Sequence, residues 1–297
     1  MDLNKINKDE LMSLVKKGLE EVDKEHPIQC EPTVKVIADS ITEEGKRLTT
    51  LQCTFWRAIL PELSRHRVFS LSVRSSRAVP TQKLIDEVQE HPWGPREWGE
   101  NQSGMTASKE INSRYKNITK YLWYSCAELT SRTAKQLNNM KVHKQVVNRL
   151  LEPFLCTHVL VSSTEWDNFF KLRISDAAQP EMRDLAIAMK KAMLASFPVT
   201  LKEGQWHLPY ITEPEVKALP VEQLKLISAA RCARISYKTF DGTIDLNKDL
   251  ELAHKLITMG HWSPLEHQAT PKSSSSVYTS NFKGWDQQRQ FLENKDE

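Results

Sequence analysis

Thirteen consecutive positions, Arg65 to Arg77 in SRHRVFSLSVRSSRAVP, hold four arginines, four serines and a histidine. Apolar side chains interleave at Val68, Phe69, Leu71 and Val73. The stretch therefore reads as half buried, and any arginine it buries must find a partner. Guanidinium groups grip carboxylates and phosphates through bidentate forks. Three uses compete: a solvated basic face, a nucleic-acid stripe, or a pocket for a small phosphorylated ligand. Ser75, Ser76 and Arg77 bring hydroxyls, backbone donors and one fork, a set suited to a phosphate. Pro61 suits the first turn of a helix carrying Arg65, His66 and Arg67. On a helix, residues two apart diverge by about 200°. These side chains would then fan out toward different ligand groups or different subunits. Aromatic interleaving is sparse for a nucleic-acid stripe.

Two further constellations carry chemistry. In NRLLEP and WDNFFKLRISDAAQPE, Arg149, Asn168 and Arg173 are either pocket residues or structural ion-pair partners. In GHWSPLEHQATP, two histidines and a glutamate fall within seven residues, an invitation to a metal. An HxxEH zinc helix would need histidine where Ser263 stands, and Pro264 disfavours a continuous helix, so no metal is expected. Ser263, ahead of Pro264 and Glu266, reads instead as a helix N-terminus whose amides suit a diphosphate, or as a simple capped turn. Cys30, Cys53, Cys126, Cys156 and Cys232 form no CxxC pair and are expected to be free thiols.

The elements that must position these groups belong to a chain of 297 residues, 39% hydrophobic and 27% charged. Net charge is +3, from 41 basic and 38 acidic residues, too balanced for a general nucleic-acid binder. No apolar run is long enough for a membrane span, and MDLNKINKDELMSLV lacks a signal peptide's apolar core, so a cytoplasmic protein is expected. Apolar spacing predicts an amphipathic helix over residues 8–24. EPTVKVIA and TTLQCTFWRAIL read as strands, and EHPWGPREWGENQSG as a loop. Helices are expected over about 107–139, around KVHKQVVNRLLEP, in TEWDNFFKLR and in AQPEMRDLAIAMKKAMLASFP. FLCTHVLVSS alternates weakly, EGQWHLPYITEPEVKALP connects, two more helices precede GHWSPLEHQATP, and KSSSSVY reads as a loop. The fold class is α+β. Three parts are expected: an N-terminal helical extension over 1–30, one catalytic domain over 31–282, and a C-terminal tail over 283–297.

Taken together, the motifs resemble those of the flavin-dependent thymidylate synthases. RHRVFSLSVRS fits that family's RHR, seven residues, serine signature. NRLLEP with WDNFFKLRISDAAQPEMR is similar to its arginine–leucine–proline helix and NFxxLRxxxxAQxEI segment. ARISY and GHWSPLEH resemble its ARVSY and GHxSPFEH segments, which in common members precede RHR but here follow everything else, at residues 233–267. The chain thus looks like a circularly permuted relative, an arrangement associated with bacteriophage members. Permutation is tolerable where parental termini lie close together at the surface. The resemblance implies a central antiparallel or mixed sheet with long helices, and a homotetramer with shared active sites.

The resemblance also implies roles. Arg65, His66, Arg67 and Val68 would line FAD, with Asn168 nearby, Ser263 near its diphosphate, and Ser236 and Glu266 in contact. Ser75, Ser76, Arg77 and Arg149 would hold dUMP, the last two at its phosphate. Arg173 would sit at the uracil edge as the catalytic residue, favouring ionisation at N3 and making C5 more nucleophilic. Glu62 would stand in the nucleotide site, and His261 matches a histidine linked to folate handling. The implied reaction converts dUMP to dTMP with methylenetetrahydrofolate as one-carbon donor and NADPH as reductant. No cysteine sits in the Pro-Cys-His context of the classical folate enzyme, so no covalent thiolate step is expected. The family pattern is broken at Glu62 (usually glutamine), Val73 (glutamate), Ala78 (tyrosine) and Ser162-Ser163-Thr164 (asparagine-x-arginine). Those positions keep two alternatives open: a flavin-dependent hydroxymethylase or methylase of dUMP or dCMP, and a non-catalytic nucleotide-binding relative.

Overall fold

The structure, a computed structural model, describes Ser13 and residues 28–236, 245–273 and 280–293. The helix expected over 8–24 lies outside these residues, Ser13 apart, as does most of KSSSSVY. Two ten-residue strands, β1 (Thr33–Thr42) and β2 (Arg47–Trp56), form a hairpin. Its turn needs a residue at φ 81°, which Gly45 supplies without a Cβ penalty. The Thr42 hydroxyl closes that turn by accepting from the Lys46 amide at 3.1 Å. β4 (Cys156–Ser163) pairs antiparallel with β2, and β3 (Ser70–Val73) with β4. β5 (Val199–Leu201) runs parallel to β1. The sheet is mixed, in the order β3-β4-β2-β1-β5.

Strand alternation gives this sheet two unlike faces. Leu51, Cys53 and Phe55 of β2, with Val159 and Val161 of β4, are buried in one core. They pack with Phe169 of α5 (Asp167–Arg173) and Met182, Leu185 and Met189 of α6 (Pro180–Leu194). The alternate positions carry buried hydroxyls: Ser40 on β1, Thr50 on β2, Ser162 on β4 and Ser72 on β3. A second core, around Leu84, Ile85, Val88, Ala127, Val147 and Leu151, joins α2 (Thr81–Glu90), α3 (Ser113–Asn139) and α4 (Lys144–Leu151).

Described residues from His207 onward cover the hydroxyl face. They comprise α7 (Glu213–Ala218), α8 (Val221–Ala233), α9 (Leu246–Thr258), a 3-10 turn at Ser263–Glu266, and the pair β6 (Ala269–Pro271) and β7 (Trp285–Gln287). α10 (Gln288–Glu293) follows. Buried Arg231 of α8 clamps this group, meeting Glu215 at 2.6 Å and Asp249 at 3.0 Å and donating to the Tyr210 carbonyl at 2.8 Å. That pairing holds the Glu215 carboxyl down at about 2. No helix among the described residues is long and apolar enough to cross a membrane. All five cysteines are free thiols.

Four segments differ from the sequence expectation, each for a physical reason. The helix begun by Pro61 is a single turn, α1 (Leu60–Leu63). Arg65, His66 and Arg67 follow it in turns rather than on a helix, because the chain must bury Phe69, whose ring lies 4.9 Å from Trp166 and 5.1 Å from Phe169. The long helix starts at Ser113 rather than near 107, since backbone bonds pair Glu100 with Lys109 and Ile111 with Trp98. The connecting segment contains α7, started by a capping box between Thr212 and Glu215. Residues 283–293, set apart as a tail, pair with β6 and bury Trp285 completely, with its indole N–H on the Lys46 carbonyl at 3.1 Å.

Replacing Trp285 with alanine is expected to cost about 3–5 kcal/mol of unfolding free energy, as for other fully buried aromatics. Urea denaturation measures it, and a loss below about 1 kcal/mol would show that residues 283–293 are not integral to the fold.

Candidate functional site

Arg173, the last residue of α5, meets two residues from the Pro61–Val68 turn. Its Nη1 donates to Glu62 Oε2 at 2.8 Å, and its Nε donates to His66 Nε2 at 3.0 Å. His66 therefore accepts at Nε2 and carries its proton on Nδ1. Burial, and then the Arg173 charge, push its pKa below the ordinary imidazole value. Phe169 stands edge-on to the His66 ring at 4.9 Å and fixes its plane. The result is a guanidinium held by a carboxylate on one side and a neutral imidazole on the other. Such a group presents its remaining N–H donors to a ligand in one orientation.

Two cavities flank this cluster's chain segment. One, about 460 Å³, is lined by Val68, Trp166, Asn168, Phe170 and Lys190 among others, so the predicted Val68 and Asn168 share a wall. The second, about 510 Å³, brings Ser72, Ser75 and Arg77 together with His261 and Ser263 across the cleft. Leu252 and Leu256 of α9 give that cleft an apolar side. A third cavity, about 620 Å³, lies between the 97–110 loop and Asp176–Arg183 and holds none of the predicted residues.

The sequence-predicted set is thus divided. Glu62, His66 and Arg173 converge; Val68 and Asn168 converge; Ser75, Arg77, His261 and Ser263 converge. Ser76 and Arg149 are not among the residues lining the cleft and bond the carboxylate of Glu152. Glu266 is taken up by Arg289 at 2.5 Å. Ser236 ends a 3-10 turn, Arg234–Ser236, directly after α8. Ser263 opens a four-residue 3-10 turn with no side-chain cap bond, not an α-helix, because Pro264 and the bend into β6 leave no room for one. Arg65, Arg67 and Arg77 are exposed and make no side-chain hydrogen bond or ion pair among the described residues. No three histidine, cysteine, aspartate or glutamate side chains among the described residues form a metal-binding group.

A buried polar chain underlies the cleft. Ser72 Oγ bonds His267 Nε2 at 2.9 Å, and His267 Nδ1 bonds Ser162 Oγ at 2.8 Å. Ser162 Oγ then meets Thr50 Oγ1 at 2.6 Å, Thr50 meets His207 Nε2 at 2.8 Å, and His207 Nδ1 meets Ser40 Oγ at 2.9 Å. The hydroxyls come from four neighbouring strands; both imidazoles come from the covering segment. Burial pushes each imidazole down to about 3, so both are neutral. Sequence reasoning met Ser162 only as a break in the family pattern and His267 only within the GHWSPLEH segment, and it passed over His207 and Thr50. The signal was present in the alternation of Thr50, Gln52 and Thr54 with Leu51, Cys53 and Phe55, a strand with one polar face that is buried at Thr50 and half-buried at Gln52 and Thr54.

The family model described as thymidylate synthase complementing protein matches residues 47–199. No curated protein matches the chain. Among solved structures, the UMP/dUMP methylase PolB from Streptomyces cacaoi, bound with 5-Br UMP, is similar at TM-score 0.45 and 12% identity. That match covers 57% of this chain and 91% of PolB. The flavin-dependent thymidylate synthase ThyX from Helicobacter pylori, complexed with FAD and dUMP, is similar at TM-score 0.34 and 23% identity. It covers 49% of this chain and 67% of that one.

The neutral histidines give a pH signature. Unfolded, each titrates near its ordinary 6.5; folded, near 3. Below pH 6.5 the unfolded chain therefore binds more protons, and stability falls with pH until the folded pKa is reached. Two such groups steepen the fall by up to about 2.7 kcal/mol per pH unit. His207→Gln should remove about half of that slope between pH 6 and pH 4.5, read as urea midpoints. An unchanged slope would contradict the buried neutral imidazole.

Proposed function

The chain belongs to the thymidylate synthase complementing protein family, and from that premise we propose that it is a flavin-dependent enzyme converting dUMP to dTMP, with methylenetetrahydrofolate as one-carbon donor and NADPH as reductant. The observation that carries this reading is the Glu62–Arg173–His66 cluster, an oriented guanidinium able to stabilise negative charge on a pyrimidine edge.

The residues present fit FAD. A diphosphate asks for cations without internal partners, and Arg65 and Arg67 are such groups beside the cluster. A flat ring system asks for an apolar wall with a few polar edges, which Val68, Trp166, Phe170 and Asn168 offer. When bound, the flavin supplies redox and one-carbon carrier chemistry that no side chain here has. The protein's own work is positioning and electrostatics. Arg173 draws charge onto the uracil carbonyls and favours loss of the N3 proton, which makes C5 more nucleophilic. Glu62 and neutral His66 fix the guanidinium plane. Ser75 and Arg77 take the nucleotide's polar end in the cleft, and His261 across it faces the folate. No cysteine lines either cavity, and burial pushes the thiols of Cys53 and Cys232 up, away from thiolate. Activation of C6 by a cysteine is not part of this mechanism.

Two features support the wider reading. The turns Arg234–Ser236 and Ser263–Glu266 lie against the strand that follows RHR, which is joined to His267 through Ser72, an arrangement in keeping with a permuted member of the family. Tyr115, Leu122 and Leu129 lie exposed at seven-residue intervals along α3, a surface suited to a helix of another subunit in a homotetramer. A second reading, with dCMP as substrate, rests on Glu62. Arg173 occupies its Oε2, and its other oxygen can accept from the 4-amino group of a cytosine as well as from the N3–H of a uracil.

The purified protein should be yellow, and incubation with dUMP, methylenetetrahydrofolate and NADPH should raise the nucleotide's mass by about 14 units, a methyl group replacing the hydrogen at C5. Product from dCMP instead selects the second reading. Arg173→Ala should abolish turnover, a loss of about 10²-fold or more, while the flavin absorbance band stays. Near-normal activity in that variant would remove Arg173 from the chemistry.

A further inference from the structure

Four buried side-chain oxygens of the β6–β7 pair and its flanks have no hydrogen-bond partner among the described residues: Gln268 Oε1, Thr270 Oγ1, Asp286 Oδ1 and Gln288 Oε1. Their residues are at most 8% exposed. Thr270 lies opposite Asp286, and the Gln288 amide donates to the Gln268 carbonyl at 2.9 Å, so the four form two adjacent cross-strand pairs. Residues two apart on a strand share a face. The four Cα atoms therefore mark a rectangle of about 5.5 Å by about 7 Å. Ala269 and Trp285, at alternate positions, belong to the opposite face and pack in a core with Leu48 and Phe282. The polar face meets α8, where the Gln268 side-chain amide donates to Ser228 Oγ at 3.0 Å and to Cys232 Sγ at 3.4 Å. Ser228 gives its own proton to the Pro209 carbonyl at 2.7 Å and must accept from Gln268. That fixes the amide's orientation and leaves Gln268 Oε1 as a spare acceptor.

A buried acceptor without a donor is costly, and a buried carboxylate without a partner more so. Water can donate to the neutral oxygens but leaves the carboxylate's charge unbalanced. Hard cations take carboxylate, amide-carbonyl and hydroxyl oxygens, whereas zinc takes nitrogen and sulfur. One carboxylate balances one positive charge; a divalent ion would bury a net charge of its own. We propose that this face of β6 and β7 binds a single alkali-metal cation, held by Asp286, Thr270 and the side-chain carbonyls of Gln268 and Gln288. Gln268 directly follows His267, whose Nε2 bonds Ser72 at 2.9 Å. Gln287, between two of the ligands, donates to Ser70 Oγ at 3.0 Å and to the Glu266 carbonyl at 2.7 Å. The ion therefore braces the strand pair that ties the Ser263–Glu266 turn to the sheet. Neither a nucleotide nor a flavin takes part in it.

The test is urea unfolding of the protein as purified, followed by tryptophan fluorescence, in potassium or sodium chloride against tetramethylammonium chloride at constant chloride and pH. Raising potassium or sodium from about 1 to about 100 mM should lower the unfolding constant about tenfold, as for one site with a Kd of about 10 mM. Asp286→Asn keeps the side chain's shape, removes its charge and should lose that response. Thr270→Val should move the response to higher salt. Equal stability in all three chlorides overturns the proposal and leaves water to partner these oxygens. So does an alkali-metal response that Asp286→Asn keeps in full, since a nonspecific salt effect does not need that carboxylate. A response to magnesium or calcium chloride alone overturns the assignment of a singly charged ion. If Asp286→Asn does not fold, Thr270→Val decides: a weakened response supports the site and an unchanged one overturns it.

Discussion

The hydrogen-bonded chain from Ser72 through His267, Ser162, Thr50 and His207 to Ser40 is the constraint on which the architecture turns. A sheet face built of hydroxyls cannot be covered by leucines without leaving polar groups unpaired, each at a cost of about 1–3 kcal/mol. Two imidazoles solve this because each offers one donor and one acceptor, so every hydroxyl along the chain can both give and receive. The histidines must be neutral for this to work, and complete burial keeps them so. The covering segment is thereby held at one register on the sheet, and a slip of one residue would present the wrong chemistry.

That register defines the cleft. His267 follows the Ser263–Glu266 turn directly, so fixing His267 on Ser72 also fixes Ser263 and His261 opposite Ser75 and Arg77. On the other face of the sheet, the apolar core does the equivalent for Arg173. Phe169 is fully buried, and α5 can present Arg173 to Glu62 and His66 only because that anchor is immobile. The site is therefore assembled by two unlike interactions, polar pairing on one face and apolar packing on the other. Arginines sort the same way. Arg74 and Arg231, both buried, are matched by Glu87, and by Glu215 with Asp249, whereas Arg65, Arg67 and Arg77 stay exposed and unmatched among the described residues.

Much of this was legible in the sequence where local pattern governs. β1, β2, α6, α8 and α9 form where strands and helices are expected, and the mixed sheet with long helices is as the resemblance implies. Reading failed where a distant contact overrode local preference. Pro61 does start a helix, but burial of Phe69 ends it before Arg65. Ser263 precedes a proline and a glutamate as a helix cap would, yet the chain turns into β6 after one 3-10 turn. The pairing of Glu62 with Arg173 spans 111 residues, and that of Ser76 with Glu152 spans 76; no local spacing announces either. The two are also chemically different in what they reveal. The first joins residues already suspected of a role, while the second takes suspected residues and gives them an unsuspected partner.

Histidine at three places shows how one side chain serves two ends. His207 and His267 are neutral because they are wholly enclosed, and their neutrality is structural. His66 is only partly enclosed, and its shift owes a share to the cation it touches. Were His66 protonated, Nε2 could no longer accept from Arg173, and two positive charges would face each other about 3 Å apart. Neutral His66 therefore keeps the full guanidinium charge available while fixing its direction. Glu62 offsets that charge only at one edge, through Nη1. An arginine so placed has its field directed rather than cancelled, which is what stabilising a developing anion on a bound ring demands.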